Sequence, residues 1–336
     1  MPADKLILES GWAYEYAVDV ALRLEVLLKN HGVAIAPGSE LEERVLKVLQ
    51  LSDFQAQGRI DGDVREFFRN LIGVAELARL IIDAEKSPEF ATLLPHLRLL
   101  NEGSAIQNAR SSGRDSATNK LFELFVATLA LTCGSQTELD DPVSSTGKNP
   151  DVLVSAKGKR WGVACKVLHG VNPEGFLDHL VKGIDQVEVS EATVGAVVFN
   201  LKNILPHDEL WPLEPTTNDG SDPRGVAKVP FAFATPSEPY ALLERWVAGF
   251  ARSIRAHVPK GHLESLFAGK KCIPGLLFWS HTVSGISVDG RRAVASVRAM
   301  NFFGLGEVDR EDREFLECLN WAAFADSPSR AARATP

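Results

Sequence analysis

Residues 149–167, NPDVLVSAKGKRWGVACKV, decide the fold of the C-terminal part of this chain. Two short apolar runs, 151–155 and 161–167, flank a connection that contains Gly158, and this pattern predicts a β-hairpin. The turn brings the second strand back beside the first, so Asp151 and Lys166 fall at the same end of the hairpin. The stretch therefore predicts a carboxylate and an ammonium group that can share one substrate.

A carboxylate beside a lysine suits the hydrolysis of a phosphodiester bond. Carboxylate oxygens bind a hard divalent cation such as Mg²⁺, with water molecules completing the octahedron. The lysine positions or deprotonates the attacking water and offsets the charge that develops on the phosphate. The simpler interpretation is that Asp151 only ends a loop, but Val152 begins a strand at once and Lys166 would be costly to bury without a purpose.

Helices and strands alternate on both sides of the hairpin, which predicts an α/β fold. A helix over 118–131, with Leu121, Phe122 and Phe125 on its buried side, precedes the hairpin. The elements predicted after it are helices 174–187, 239–258 and 310–324, strands 194–201, 273–286 and 293–303, and a loop over 202–230.

The first part of the chain is predicted to be helical. Apolar residues recur at helical spacing over 12–29 and 61–85, and Ser39 with Glu42 forms a capping box at the start of another helix. Residues 101–118 are rich in Gly, Ser and Asn, which predicts a linker or a flexible binding loop. We therefore expect a helical N-terminal domain over 1–115, an α/β domain over 116–326 and a disordered tail over 327–336.

The composition excludes several classes of protein. The chain has 336 residues, of which 45% are hydrophobic and 24% charged, so it can bury a core in each of about two domains. No apolar run approaches the roughly 20 residues that cross a bilayer, and the first residues lack the apolar segment of a signal peptide. We therefore expect a cytoplasmic protein that does not span a membrane. The net charge of -8 argues against a uniformly basic surface but allows a local cleft for nucleic acid.

Motifs for zinc, nucleotides and dinucleotides are missing from the sequence. The four cysteines, Cys133, Cys165, Cys272 and Cys318, are too far apart for a CxxC pair, so we expect reduced thiols and no structural zinc. No P-loop and no GxGxxG after a strand is present, which argues against motor and dinucleotide-dependent functions.

The chemistry-bearing stretches resemble the PD-(D/E)xK nuclease superfamily, also called restriction-endonuclease-like. The resemblance covers residues 117–201 and rests on NKLFEL at 119–124, NPDVLV at 149–154 and WGVACK at 161–166. It implies a mixed sheet flanked by helices, preceded here by the all-helical N-terminal domain. It also implies that Glu123 and Asp151 hold a metal, that Lys166 is the catalytic lysine and that Gln186 is an auxiliary polar group of the site.

The resemblance further implies what the protein does. The expected activity is hydrolysis of DNA by an endonuclease that depends on Mg²⁺ or Mn²⁺, in defence against foreign DNA or in DNA repair. Nucleases that cut both strands are commonly dimers, so a homodimer is one possible arrangement, although no segment of the sequence indicates an interface.

One position departs from the pattern of the superfamily. The acidic residue expected two places before the lysine is Ala164, so the motif is Ala-Cys-Lys where Glu-Cys-Lys is typical. In some members of the superfamily the missing acid comes from the next helix, which makes Glu174 and Asp178 candidate metal ligands. The acidic residues Glu138, Asp140 and Asp141 are further candidates.

Two alternatives to a nuclease stay open at this stage. The first is a catalytically degenerate nuclease fold that binds nucleic acid or a protein partner. The second is a helical interaction protein whose C-terminal half only mimics the motif. A structure without the hairpin of Asp151 and Lys166 would select the second alternative.

Overall fold

A computed structural model describes residues 7–8, 14–50, 63–111, 113, 116–145, 147–214, 230–259 and 261–324. The α-helices are α1 (Tyr14–Asn30), α2 (Glu40–Leu49), α3 (Val64–Ala84), α4 (Leu94–Leu97), α5 (Ser116–Cys133), α6 (Pro173–Glu188), α7 (His207–Leu210), α8 (Ser237–His257), α9 (His262–Leu266) and α10 (Arg310–Phe324). The strands are β1 (Ile7–Leu8), β2 (Ser135–Leu139), β3 (Val152–Ala156), β4 (Lys159–Val167), β5 (Val194–Asn200), β6 (Ala232–Phe233), β7 (Gly275–Val288) and β8 (Arg291–Gly304). The tail expected over 327–336 lies outside the described residues.

The strands form one mixed sheet of eight strands, in the order β1-β8-β7-β5-β4-β3-β2 with β6 beside β7. The pairs β2–β3, β3–β4 and β7–β8 are antiparallel, whereas β4–β5 and β5–β7 are parallel. Helices connect β4 to β5 and β5 to β7, as parallel neighbours require. The predicted α/β class with a mixed sheet is confirmed.

The hairpin of β3 and β4 forms as the sequence predicted. Val152 lies opposite Val163, and Ala156 lies opposite Lys159, so two residues make the turn. These are Lys157 and Gly158, with φ angles of 51° and 72°. Two successive residues with positive φ are characteristic of the type I′ turn, whose twist matches that of the strands. The turn thus fixes the register that brings Asp151 beside the end of β4.

Apolar side chains pack on both faces of the sheet. On one face α5 contributes Phe125, whose ring centroid lies 4.8 Å from that of Trp279 in β7. On the other face α6 contributes Phe176, whose ring centroid lies 4.5 Å from that of Phe199 in β5. Buried residues of α1, α2 and α3 belong to the same apolar cluster as those of α5. The boundary at residue 115 and a separate all-helical domain therefore stay predictions.

The connection between the N-terminal helices and α5 is packed into the protein. Residues 103–108 are all buried. The ammonium group of Lys202 donates hydrogen bonds to the carbonyl oxygens of Ser104 and Ile106, at 2.8 and 3.0 Å, and Asn200 donates to Gln107 Oε1 at 2.6 Å. The expectation of a flexible linker is therefore wrong for this segment. Backbone carbonyl groups of Ser104 and Ile106 and the side-chain amide of Gln107 bind the residues at the end of β5.

Several short elements were not predicted from the sequence, and strand β2 and helix α7 are examples. Strand β2 is mostly exposed and polar, so it lacks the apolar alternation that marks a half-buried strand. Helix α7 has one turn and lies in the predicted loop over 202–230. Within the described residues, no helix combines the length and the apolar character needed to cross a membrane.

A buried ion cluster joins α3 to β7 and β8. The Glu76 carboxylate lies 3.2 Å from Arg298 Nη1 and 3.2 Å from His281 Nε2, and it accepts a hydrogen bond from Ser296 Oγ at 2.7 Å. His281 and Arg298 are direct cross-strand neighbours. Burial opposes ionisation of Glu76, but His281, Arg298 and Ser296 hold the pKa of Glu76 below its ordinary value. The cluster fixes α3 on this end of the sheet.

Candidate functional site

Asp151 and Lys166 converge at one end of the β3–β4 hairpin. Asp151 immediately precedes β3 and is 5% exposed. Its Oδ2 atom accepts a hydrogen bond from the backbone N–H of Cys165 at 2.6 Å and lies 3.5 Å from Lys166 Nζ. The antiparallel register creates this contact, because it places the end of β4 beside the start of β3. The spatial arrangement expected from the hairpin is therefore present.

Helix α5 supplies a second acid to the same place. Glu123 is 3% exposed, and its carboxyl group lies close enough to that of Asp151 for each to act on the pKa of the other. Glu123 Oε2 also lies 2.9 Å from Lys120 Nζ and 3.2 Å from His96 Nε2. Glu123 is the helix acid that the resemblance implies, and its carboxyl group neighbours that of Asp151, whereas the acid missing from position 164 would be a third one.

Gln186 holds the lysine from the side of α6. Its Oε1 atom accepts a hydrogen bond from Lys166 Nζ at 2.6 Å, and its Nε2 atom donates to the carbonyl oxygen of Asn149 at 2.9 Å. Gln186 therefore links the end of β4 to the loop that precedes Asp151. An apolar side chain at this position would supply neither bond.

The small residues Ala164 and Gly183 explain how α6 comes so near to β4. Ala164 is fully buried, and a Cβ atom added to Gly183 would lie 3.4 Å from that of Ala164 and 2.7 Å from a methyl carbon of Val197. Position 164, where the superfamily places an acid, is thus a packing position beneath α6. The departure in the motif has a structural role, and Gln186 reaches Lys166 one turn further along the helix.

Burial changes the ionisation of both acids, and the charge of Glu123 adds to the effect on Asp151. Burial, followed by the charge of Glu123, raises the pKa of Asp151 to about 7, although Lys166 and the N–H of Cys165 oppose the change. Burial also raises the pKa of Glu123, against the effect of Lys120. Two neighbouring carboxyl groups that influence each other titrate as a pair, so in the metal-free protein the pair retains a proton at pH values where free carboxylates have lost theirs.

His96 and Lys120 are site residues that the sequence did not reveal as such. His96 is fully buried, and burial lowers its pKa to about 4, so the imidazole beside Glu123 is neutral at pH 7. Lys120 precedes Glu123 by three residues and therefore shares its helix face, which the sequence could have suggested. His96 has no comparable sequence signal, because only the packing of α4 against α5 brings it to Glu123.

The acids predicted on α6 lie elsewhere. Glu174 and Asp178 are exposed in the first half of the helix. They precede Gln186 by 12 and 8 residues, or about 18 and 12 Å along the helix axis. Within the described residues, the polar contacts of Asp151 go to Cys165, Lys166 and Glu123 and not to these two acids. The structure does not bring Glu174 and Asp178 to the other site residues, and their role as ligands stays a prediction.

The three remaining acidic candidates differ in position. Glu138 on β2 forms an ion pair with Arg160 at 2.7 Å, which occupies its carboxylate away from the site. Asp140 and Asp141 are close enough to His96 for their charges to act on its pKa, so they lie on the same side of the molecule as the site. The Asp140 carboxylate accepts a hydrogen bond from Ser145.

Comparison of the chain with protein-family models, with curated proteins and with solved structures gives no match. Within the described ranges, no group of three or more His, Cys, Asp and Glu side chains is arranged to hold a metal ion. The acidic side chains of the site are the pair Glu123 and Asp151.

Proposed function

We propose that this protein is a metal-dependent endonuclease that hydrolyses phosphodiester bonds in DNA. The observation that carries the proposal is the position of two buried neighbouring carboxyl groups, Glu123 and Asp151, beside the amine of Lys166. Two adjacent acids in an apolar interior oppose each other and lower stability, and such an arrangement is characteristic of a functional site.

The way the chain builds the site also supports the proposal. The resemblance implies one acid from a helix, one acid and one lysine from the two strands of a hairpin, and a glutamine from the following helix. Glu123, Asp151, Lys166 and Gln186 come from these elements, and a mixed sheet flanked by helices carries them. The restriction-endonuclease-like core is part of this proposal.

The two acids fit Mg²⁺ or Mn²⁺. Hard divalent cations prefer carboxylate oxygens and retain several water molecules, so one or two protein ligands suffice for Mg²⁺. The raised pKa values of Asp151 and Glu123 show that the pair lacks full compensation of its charge, and a cation bound by both would provide it. Such a metal would polarise the phosphate and lower the pKa of a bound water molecule.

The other residues of the site position the amine of Lys166 and supply positive charge. Gln186 fixes the amine of Lys166 beside Asp151, where the amine can hold the attacking water and offset charge on the phosphate. Lys120 brings a second ammonium group to the same place. His179 on α6 is exposed, and its pKa is lowered by burial of part of the ring and then by the nearby Lys166 and Lys182. The ammonium groups of Lys120 and Lys166 suit a phosphodiester backbone.

One specific observation favours the alternative of a degenerate nuclease fold that binds nucleic acid or a protein. Each acid already has a lysine within 3.5 Å, Lys120 for Glu123 and Lys166 for Asp151. Ala164 removes the third acid that the superfamily pattern would add. A site in which lysines replace the metal would still attract phosphate groups but would not cleave them.

Incubation with supercoiled plasmid DNA and Mg²⁺ or Mn²⁺ separates the two functions. We expect the wild-type protein to nick the plasmid and Lys166→Ala to nick it at least about 100-fold more slowly, because the phosphate loses its cationic neighbour. Lys86→Ala, which removes an exposed lysine paired with Asp83, is the matched control and should keep the wild-type rate. Binding in a gel shift without cleavage by either metal would select the degenerate fold.

The setting of this activity belongs to the same proposal. We propose a cytoplasmic enzyme of defence against foreign DNA or of DNA repair, which follows from the resemblance. A homodimer would place two such sites on the two strands of a duplex. Sedimentation of the protein with and without a DNA duplex measures the oligomeric state and tests this arrangement. A protein that cuts both strands of the duplex while it stays a monomer would contradict it.

A further inference from the structure

A polar cluster outside the candidate site joins the ends of β4 and β5 to the segment before α5. Asn203, three residues after β5, accepts hydrogen bonds at its Oδ1 atom from the backbone N–H and the hydroxyl group of Ser111, both at 2.8 Å. The Nδ2 atom of Asn203 lies 3.1 Å from His169 Nδ1. Arg110 donates from Nη2 to the carbonyl oxygen of Leu205 at 3.0 Å. We call Arg110, Ser111, His169 and Asn203 the strand-end cluster.

The strand-end cluster lies at the edge of the sheet that carries Lys166. Strands β4 and β5 are parallel neighbours, with Lys166 opposite Phe199, and the N–H of Leu168 donates to the carbonyl oxygen of Asn200 at 3.0 Å. His169 follows Lys166 by three residues. The Cα atoms of the two residues are therefore at most about 11 Å apart. One DNA strand can reach both the cluster and the amine of Lys166.

The charge of this edge is opposite to that of the whole chain, whose net charge is -8. Three segments form the edge: 103–111, 166–172 and 200–207. They contain three lysine or arginine residues, one of them the exposed Arg110, and no Asp or Glu. Of the acids that flank them in the sequence, Asp208 is paired with Arg69 at 2.7 Å. A locally cationic edge in an acidic protein attracts a polyanion to this place.

The hydrogen bonds of Asn203 also fix which atom of the His169 ring donates. Because Oδ1 of Asn203 is the acceptor for the N–H of Ser111, the amide nitrogen Nδ2 faces His169 and donates to its Nδ1 atom. The ring proton of His169 is then on Nε2, and the imidazole is neutral in this arrangement. The cluster thus combines one cation, Arg110, with one neutral N–H donor.

We propose that the strand-end cluster binds a backbone phosphate of the DNA strand that is cleaved at the candidate site. The choice of DNA as the ligand rests on the proposed function. Arg110 supplies the cationic contact and His169 the neutral donor, while Ser111 and Asn203 hold the loop and the imidazole in place. Arg110 and His169 are positioning residues, because contacts to phosphate groups fix the strand and do not break the bond.

The salt dependence of DNA binding tests the contact of Arg110. A fluorescein-labelled duplex is titrated with the protein in EDTA, and the anisotropy gives the Kd at each salt concentration. We expect Arg110→Ala to raise the Kd about tenfold and to reduce the slope of log K against log salt concentration by about one, because binding releases one counterion fewer. Arg110→Lys keeps the charge and should keep the slope of the wild type. Since Arg110 is exposed, neither substitution disturbs the core.

His169→Ala tests the neutral donor. We expect its Kd to rise about threefold with an unchanged slope, because a neutral group releases no counterion when it binds a phosphate. Arg313→Ala is the matched control and should keep the Kd and the slope of the wild type. Arg313 is exposed on α10 beside Asp312, which contacts Lys159 at the start of β4, the end opposite to Lys166.

The strand-end cluster and the proposed endonuclease can fail separately. A wild-type protein that cleaves plasmid DNA, with the same Kd and slope in Arg110→Ala as in the wild type, would overturn the cluster and leave the endonuclease. Binding that depends on Arg110 without any cleavage would support the cluster and overturn the endonuclease. A wild-type protein that does not bind the duplex, or an equal loss of slope in Arg313→Ala, would overturn the cluster.

Discussion

Two buried glutamates of this protein lie in opposite electrostatic surroundings. Glu76 faces Arg298, His281 and Ser296, and these contacts hold its pKa below the ordinary value in spite of burial. Glu123 faces a second acid, Asp151, and burial raises its pKa. Both side chains are almost completely buried, yet the contacts of Glu76 lower its pKa in spite of burial, whereas the contacts of Glu123 do not offset the effect of burial on its pKa.

The difference separates a structural cluster from the candidate functional site. At Glu76 every polar contact favours the ionised carboxylate. The cluster therefore stabilises the packing of α3 on the sheet in the folded protein. At Glu123 and Asp151 the fold accepts two acids that repel each other, which natural proteins retain where binding or catalysis requires it. The four predictions below test this distinction, from the largest expected effect to the smallest.

Glu76→Gln should lower the free energy of unfolding by about 3–5 kcal/mol. The substitution leaves the guanidinium group of Arg298 buried without its counter-ion, and an uncompensated buried charge has a cost of this size. Urea unfolding followed by circular dichroism measures the change. Glu85→Gln, at the exposed end of the same helix, is the matched control and should stay within about 1 kcal/mol of the wild type. Equal effects of the two variants would contradict a structural role for the cluster.

Mg²⁺ should stabilise the wild-type protein at pH 8. A ligand that binds only the folded state, at about 100 times its Kd, adds about 2.7 kcal/mol to the free energy of unfolding. The gain should disappear in Glu123→Gln, which removes one of the two proposed ligands. It should persist in Glu174→Gln and Asp178→Asn, which change acids exposed on the first half of α6. Loss of the stabilisation by Mg²⁺ in either α6 variant would mean that the changed residue is a metal ligand.

Asp151→Asn should stabilise the metal-free protein at pH 8 by about 2 kcal/mol. The pKa of Asp151 is raised to about 7 in the folded protein, from the ordinary value of 3.8. The folded state therefore holds the proton more tightly, and the contribution of Asp151 to stability is lost as the pH rises from about 4 to about 7. The stability difference between variant and wild type should thus be small at pH 4 and largest at pH 8.

Unfolding by urea in the presence of EDTA at these two pH values measures the difference. Asp178→Asn is the control, because it removes an exposed aspartate and should show no such trend. A destabilised Asp151→Asn at pH 8 would mean that Asp151 is a structural acid like Glu76, and the contrast between the two regions would be lost.

Gln186→Leu should have the smallest effect, a reduction of plasmid cleavage by about tenfold with little change in stability. The leucine removes the acceptor for Lys166 Nζ, so the amine keeps Asp151 as its contact but loses its fixed position. Single-turnover cleavage rates, compared with urea unfolding of the same protein, separate positioning from folding. An unchanged cleavage rate would show that Gln186 only links α6 to Asn149.

The local elements were largely predictable because each has a local cause. Gly158 and the apolar runs beside it predicted the hairpin, and Ser39 does cap α2, with its Oγ atom accepting from the N–H of Glu42 at 3.2 Å. Strand β2 was missed because it is polar and forms through pairing with β3. The segment around Ser104 was misjudged because its composition resembles a loop, while its backbone is bound by Lys202 from the end of β5.

The sequence by itself determined that Asp151 and Lys166 meet, because the length of the turn and the alternation of the strands set the register. Only the tertiary structure decided which side chains lie beside the hairpin, since Glu123, His96 and Gln186 reach it from three different helices. Contacts within one hairpin depend on neighbouring residues, whereas the position of a helix on a sheet depends on the packing of distant side chains, such as Ala164 against Gly183.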